Sequence, residues 1–185
     1  MDKKKYEIRS TEITRDDTKL VGYVVKWNSR SQLIWGEFYE QFAPKAFSQS
    51  LNNNPDIRAL FEHDPKSLLG RTTSNTLILN EDDIGLRFEL TPPDTQLGRD
   101  LLVSVERGDI RGMSFGFMAT KESWDFNQEP CLRTVSEAEL FEITVTSIPA
   151  YQESDIQIAK RSMLEAKTKL QPDLSKAWLD LMELL

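Results

Sequence analysis

Up to about residue 151 the chain is mostly short alternating or β-branched runs, with few stretches at helical spacing. Tyr6-Glu7-Ile8-Arg9 opens a polar/apolar alternation that predicts an exposed or edge strand. Leu20 to Trp27 is β-branched and aromatic and predicts a buried strand. Leu33 to Phe42 carries Ile34, Trp35, Phe38 and Tyr39 and reads as a strand or a binding loop. Pro44 suits the first turn of a short helix ending at the breaker Asn52-Asn53-Asn54-Pro55. Ile57 to His63 returns to strand. Thr76 to Asn80 and Gly85 to Leu90 predict a hairpin around Glu81-Asp82-Asp83-Ile84. In Thr95 to Glu106, Leu97, Leu101, Leu102 and Val105 fall at helical spacing, and Gly108 suits the stop. Gly112 to Trp124 and Leu140 to Ile148 alternate and predict strands.

The pattern changes at Tyr151. From Gln152 onward there is no glycine and no alternation. Asp155 to Leu170 and Asp173 to Leu185 read as two helices split by Pro172. Leu174, Trp178, Leu181, Met182 and Leu185 share one face of the second. The reading is an α+β body over residues 1–151 and a helical C-terminal tail over 152–185. The tail's apolar stripe suits packing onto the body and partner binding equally.

Composition narrows the chemistry. The 185 residues include one His and one Cys, so any imidazole chemistry falls to His63. A lone Cys131 makes no internal disulfide or Cys-rich zinc site, and no phosphate loop, metal-protease or calcium motif is present. No cofactor or metal is expected. The net charge of −7 argues against a dedicated nucleic-acid binder. No apolar run approaches the ~18 residues of a membrane span, and the N-terminus lacks the apolar stretch of a signal peptide. A soluble protein of a reducing cytoplasm is expected.

Four segments carry candidate chemistry. Gly112-Met113-Ser114-Phe115-Gly116 fits the G-x-S-x-G pattern of hydrolase elbows, but it continues as alternating strand rather than entering a helix. No histidine follows it, so the α/β-hydrolase order is excluded. Ser114 stays a nucleophile candidate on a strand face that the neighbouring glycines leave open; the plain alternative is a strand serine at a sheet bend. His63, in Phe61-Glu62-His63-Asp64-Pro65, sits at a strand end before a Pro-driven turn; its plain alternative is a capped core histidine. Neither Glu62 nor Asp64 is an obvious partner for it. In Leu140 to Ile148, Phe141, Ile143 and Val145 line one face and Glu142, Thr144 and Thr146 the other. An acid in mid-strand is unfavourable, so Glu142 either orients a histidine or lies on a solvated face. Cys131 lies in an expected loop with nothing near it to lower its pKa, and reads as inert, though a Cys/His peptidase pair is a rival.

The ordered blocks G-Y-V-V-K-W, F-Y-E-Q-F-A-P-K-A-F, L-F-E-H-D-P with L-L-G-R-T, I-R-G-M-S-F-G-F and E-L-F-E-I-T-V-T-S-I-P-A-Y resemble the tailed-phage prohead (capsid maturation) serine proteases from about Val21 to Tyr151. The resemblance implies a mainly antiparallel β-barrel with flanking helices, like herpesvirus assemblins. It implies Ser114 as nucleophile, His63 as general base and Glu142 as third member. Assemblins use a second histidine there, which this chain lacks. It also implies cleavage of the scaffolding segment of the major capsid protein, or a separate scaffold protein, and of the protease itself, inside the procapsid in the host cytoplasm. It implies no nucleic-acid or membrane partner, and a tendency to homodimerise. Arg133, and Arg111 beside the Ser114 strand, are side-chain candidates for the oxyanion, though each suits a surface ion-pair role better. The rival of another class is a non-enzymatic capsid-assembly scaffold acting through the C-terminal helices.

Overall fold

The computed structural model describes residues 7–16, 18–34, 36–53, 56–147 and 162–168. Its main body is built from nine strands and two α-helices. They are β1 (Glu7–Asp16), β2 (Lys19–Lys26), β3 (Phe38–Phe42), α1 (Ser48–Asn53), β4 (Arg58–Phe61), β5 (Asp64–Arg71), β6 (Leu77–Glu81), β7 (Gly85–Leu90), α2 (Gln96–Arg107), β8 (Gly112–Asp125) and β9 (Cys131–Thr146). The strands pair in the order β5-β4-β9-β8-β1-β2-β7-β6, and β3 joins β9 as a branch. The architecture is α+β and dominated by sheet.

Two expectations about the sheet change. Among the described residues no pairing joins β5 to β6, so the path stays open rather than closing into a barrel. The sheet is also mixed. β3 and β4 both run parallel to β9, while the other pairs are antiparallel. β1, expected at an edge, pairs with both β2 and β8. Alternation shows which side-chain faces are wet; it does not show whether the backbone edges are paired.

The helices follow local chemistry. Thr95 caps α2 by accepting the Gly98 N–H at 3.3 Å, and Gly108 ends it at φ 77°, a left-handed position that suits glycine. α1 begins at Ser48, a turn later than Pro44 suggests, because Glu81 accepts the Phe47 N–H at 3.0 Å and the Ser48 hydroxyl. Asp82 accepts from the Tyr23 hydroxyl and from the N–H groups of Ile84 and Gly85, which sets the β6–β7 turn.

The main core lies on one face of the sheet. Phe42, Phe47, Phe115 and Phe117 form a cluster there, with ring centroids 5.1–6.2 Å apart. Offset and edge-on rings of this kind favour that packing. Met113, Ile143 and Val145 continue the core toward one end of the long β8–β9 hairpin. At the hairpin's other end a smaller cluster buries Ile34, Phe38 and Cys131 against Met163. Met163 belongs to a helical stretch at 162–168, whose Ser162 accepts the Trp124 indole N–H at 3.1 Å. The rest of the expected C-terminal helices, including Leu174 to Leu185, lies outside the described residues. Among the described residues no helix is long and apolar enough to cross a membrane.

Candidate active site

The site is built on the C-terminal third of β9. Ile143 and Val145 face the aromatic core, so pleating turns Glu142, Thr144 and Thr146 to the opposite side. That side is not solvated. Glu142 is 3% exposed and Thr144 fully buried. A buried carboxylate must find donors. Glu142 has two. The Thr144 hydroxyl donates to Oε2, and His63 Nδ1 lies 2.9 Å from Oε1.

His63 reaches Glu142 because β4 runs parallel to β9, with Arg58 opposite Glu142 and Phe61 opposite Val145. The strand ends at Phe61, and the turn does not come from Pro65, as expected. Phe61 pairs with Asp64, so Glu62 and His63 form a two-residue hairpin turn, at φ 50° and 56°. Pro65 lies inside β5, an edge strand in the described sheet, where a missing N–H is tolerated. The turn lifts His63 off the line of β4 and lets its ring swing to Glu142.

The contact suits the tautomer in which Nδ1 donates to Oε1 and Nε2 is left without a proton. Nε2 is buried and has no hydrogen-bond partner among the described residues. Ser114 Oγ is in the same condition. Unpaired buried polar atoms are uncommon and call for a reason.

Ser114 lies on β8 directly opposite Thr144, and Gly116 opposite Glu142. Cross-strand partners share a face, and diagonal neighbours stand roughly 7–8 Å apart. Ser114 and Glu142 are such a diagonal pair, a spacing that an imidazole with a hydrogen bond at each end can bridge. Gly116 puts no side chain in the way. The Ser114 face is covered rather than open, since the residue is fully buried. His63 and Glu142 are in direct contact; Ser114 is on their face of the sheet without a hydrogen bond to either.

Three other candidates lie elsewhere. Arg133 is not on the surface: it is 1% exposed and held by Glu40 at 2.7 Å and by Glu122. It precedes Glu142 by nine strand positions, roughly 30 Å, and cannot reach the oxyanion. Arg111 turns its Nε to the Gly108 carbonyl at 2.9 Å. Cys131 opens β9 instead of lying in a loop, buried beside Met163 Sδ, and burial pushes its thiol pKa up. It is far from His63 and poorly suited to be a nucleophile.

Two further residues shape the site. Thr144 shares the Glu142 face in the sequence pattern, which shows no partner for it. Glu62 had no readable role, because its partners Thr146 and Ser147 are more than eighty positions away.

The chain matches the caudovirus prohead serine protease model over residues 4–169. It belongs to that family. The prohead protease of Escherichia phage T5 is 28% identical over 116 residues, which are 61% of this chain and 51% of that protein. The chain thus spans about half the length of this curated relative. The bacteriophage T4 capsid assembly protease shares the fold at a TM-score of 0.55 and 10% identity, covering 80% of this chain and 100% of that one. Among the described residues of this family member, no three His, Cys, Asp or Glu side chains gather as a metal site.

Proposed function

We propose that this chain is a serine endopeptidase using Ser114, His63 and Glu142. The observation that carries the reading is the 2.9 Å contact of His63 Nδ1 with buried Glu142, which leaves a buried, unpartnered Nε2 on the sheet face that bears Ser114 Oγ. Membership of the prohead protease family supports it.

In the proposed mechanism Ser114 Oγ attacks the scissile carbonyl as Nε2 takes its proton. His63 then gives that proton to the leaving amine. Water releases the acyl group in the reverse sense. Glu142 holds the tautomer and favours the imidazolium that forms. Ser114 and His63 come within hydrogen-bond reach as substrate binds, since such bonds are often long in free enzymes.

The substrate of this reading is the scaffolding segment of the major capsid protein or a separate scaffold protein, and the chain itself. The place of action is the procapsid interior, in the host cytoplasm. Homodimerisation and a tail at 152–185 that engages the scaffold belong to the same proposal. The test is incubation with the capsid precursor. Ser114→Ala should abolish cleavage; undiminished processing overturns the reading.

A further inference from the structure

The Glu62-His63 turn is an unexpected place for these residues. Two-residue hairpin turns with both φ values positive favour Asn and Gly, because a Cβ is crowded there. Here the positions hold glutamate and histidine, at φ 50° and 56°. Such backbone is strained, and the conformation persists only where its surroundings over-determine it.

Glu62 supplies that restraint. Its backbone N–H donates to the Val145 carbonyl at 3.0 Å. Its Oε1 accepts the Ser147 N–H at 2.8 Å and the Ser147 hydroxyl at 2.7 Å. Its Oε2 accepts the Thr146 hydroxyl at 2.7 Å. Four hydrogen bonds therefore run from this residue to three consecutive positions at the end of β9, the strand that carries Glu142. Burial pushes the Glu62 carboxyl up, but the Ser147 and Thr146 donors and nearby His63 outweigh it and bring it below the ordinary range. It is an ionised acceptor at neutral pH.

We propose that Glu62 is a positioning residue for His63, clamping the strained turn to Thr146 and Ser147 so that the imidazole meets Glu142. The inference rests on the protease reading. Glu62 touches no reacting atom. It sets where the ring stands, and a displacement of about 1 Å can cost roughly 10²-fold in rate.

The single histidine makes the test clean, because one imidazole gives one Nδ1 proton signal. The full chain is labelled with ¹⁵N-histidine in a Ser114→Ala background, and the low-field proton shared with Glu142 is recorded. Adding Glu62→Ala should broaden or abolish it. In the active chain, Glu62→Ala should lower kcat roughly 10- to 100-fold with KM changed less than about twofold. If Glu62→Ala does not fold, Glu62→Gln decides, since it keeps one oxygen for Ser147 and cannot accept at the other position; it should weaken the signal and kcat in the same sense. A sharp signal with kcat within about twofold of the parent overturns the inference. Full activity in Ser114→Ala alone overturns the protease reading instead, and the inference with it.

Discussion

His63 and Glu142, separated by 79 positions in the chain, meet at 2.9 Å with the carboxylate on Nδ1. That contact suits the tautomer with Nε2 unprotonated and gives a buried acid a partner.

Replacing Glu142 by Gln keeps the shape but offers an amide N–H where the imidazole needs an acceptor. The tautomer reverses and Nε2 ceases to be a base. A loss of about 10⁴-fold in kcat is expected, with the fold intact. Single-turnover kinetics on the capsid precursor check it; a loss under tenfold would remove Glu142 from the site.

Thr144→Val is nearly isosteric and removes the hydroxyl that donates to Glu142 Oε2. Losing this bond to a buried carboxylate costs about 1–3 kcal/mol of stability. The freed carboxylate also holds His63 less well, so kcat should fall by up to about 10²-fold. Urea midpoints and kcat from the same preparation measure both.

Arg133→Leu removes the guanidinium that pairs with Glu40, which is 2% exposed, and with Glu122. Removing one partner of a buried pair costs about 3–5 kcal/mol. Activity per folded molecule should stay near the parent value, because Arg133 lies far down the hairpin from Glu142. Denaturant unfolding with active-site titration separates the two effects.

Asp82 governs part of the acid sensitivity. The Gly85 N–H comes first in holding its carboxyl below the ordinary 3.8; burial opposes this, and the Ile84 N–H, the Tyr23 hydroxyl and Arg87 assist. A folded-state pKa below the unfolded one gives stability that is present above about pH 4 and lost as pH falls through the folded value. Asp82→Asn should therefore flatten the decline of melting temperature below about pH 4 and leave its shape near neutrality unchanged. An unaltered acid limb would contradict this.

Much of the molecule was legible because its signals are local. The α2 stripe with its Gly108 stop, the β6–β7 hairpin and the β8 alternation all depend on neighbours within a few positions. The misreadings depended on distant ones. β1 looked like an edge because β8, its partner on the side away from the β1–β2 hairpin, is remote in sequence. His63 was placed on a straight strand because its turn is imposed by the Phe61–Asp64 register and by Glu62 bonding to Ser147. Arg133 looked like a surface cation because Glu40 and Glu122 converge on it only after folding.

By itself the sequence determined the inventory: one histidine, one inert cysteine, a serine between glycines on a strand, an acid in mid-strand, and the ordered blocks that mark the family. Tertiary structure decided which of these meet. Only the parallel docking of β4 on β9 brings His63 to Glu142, and only the cover over that sheet face makes the acid need a partner. Strand pairing and burial are set by contacts summed over the whole chain, so no local pattern of residues encodes them.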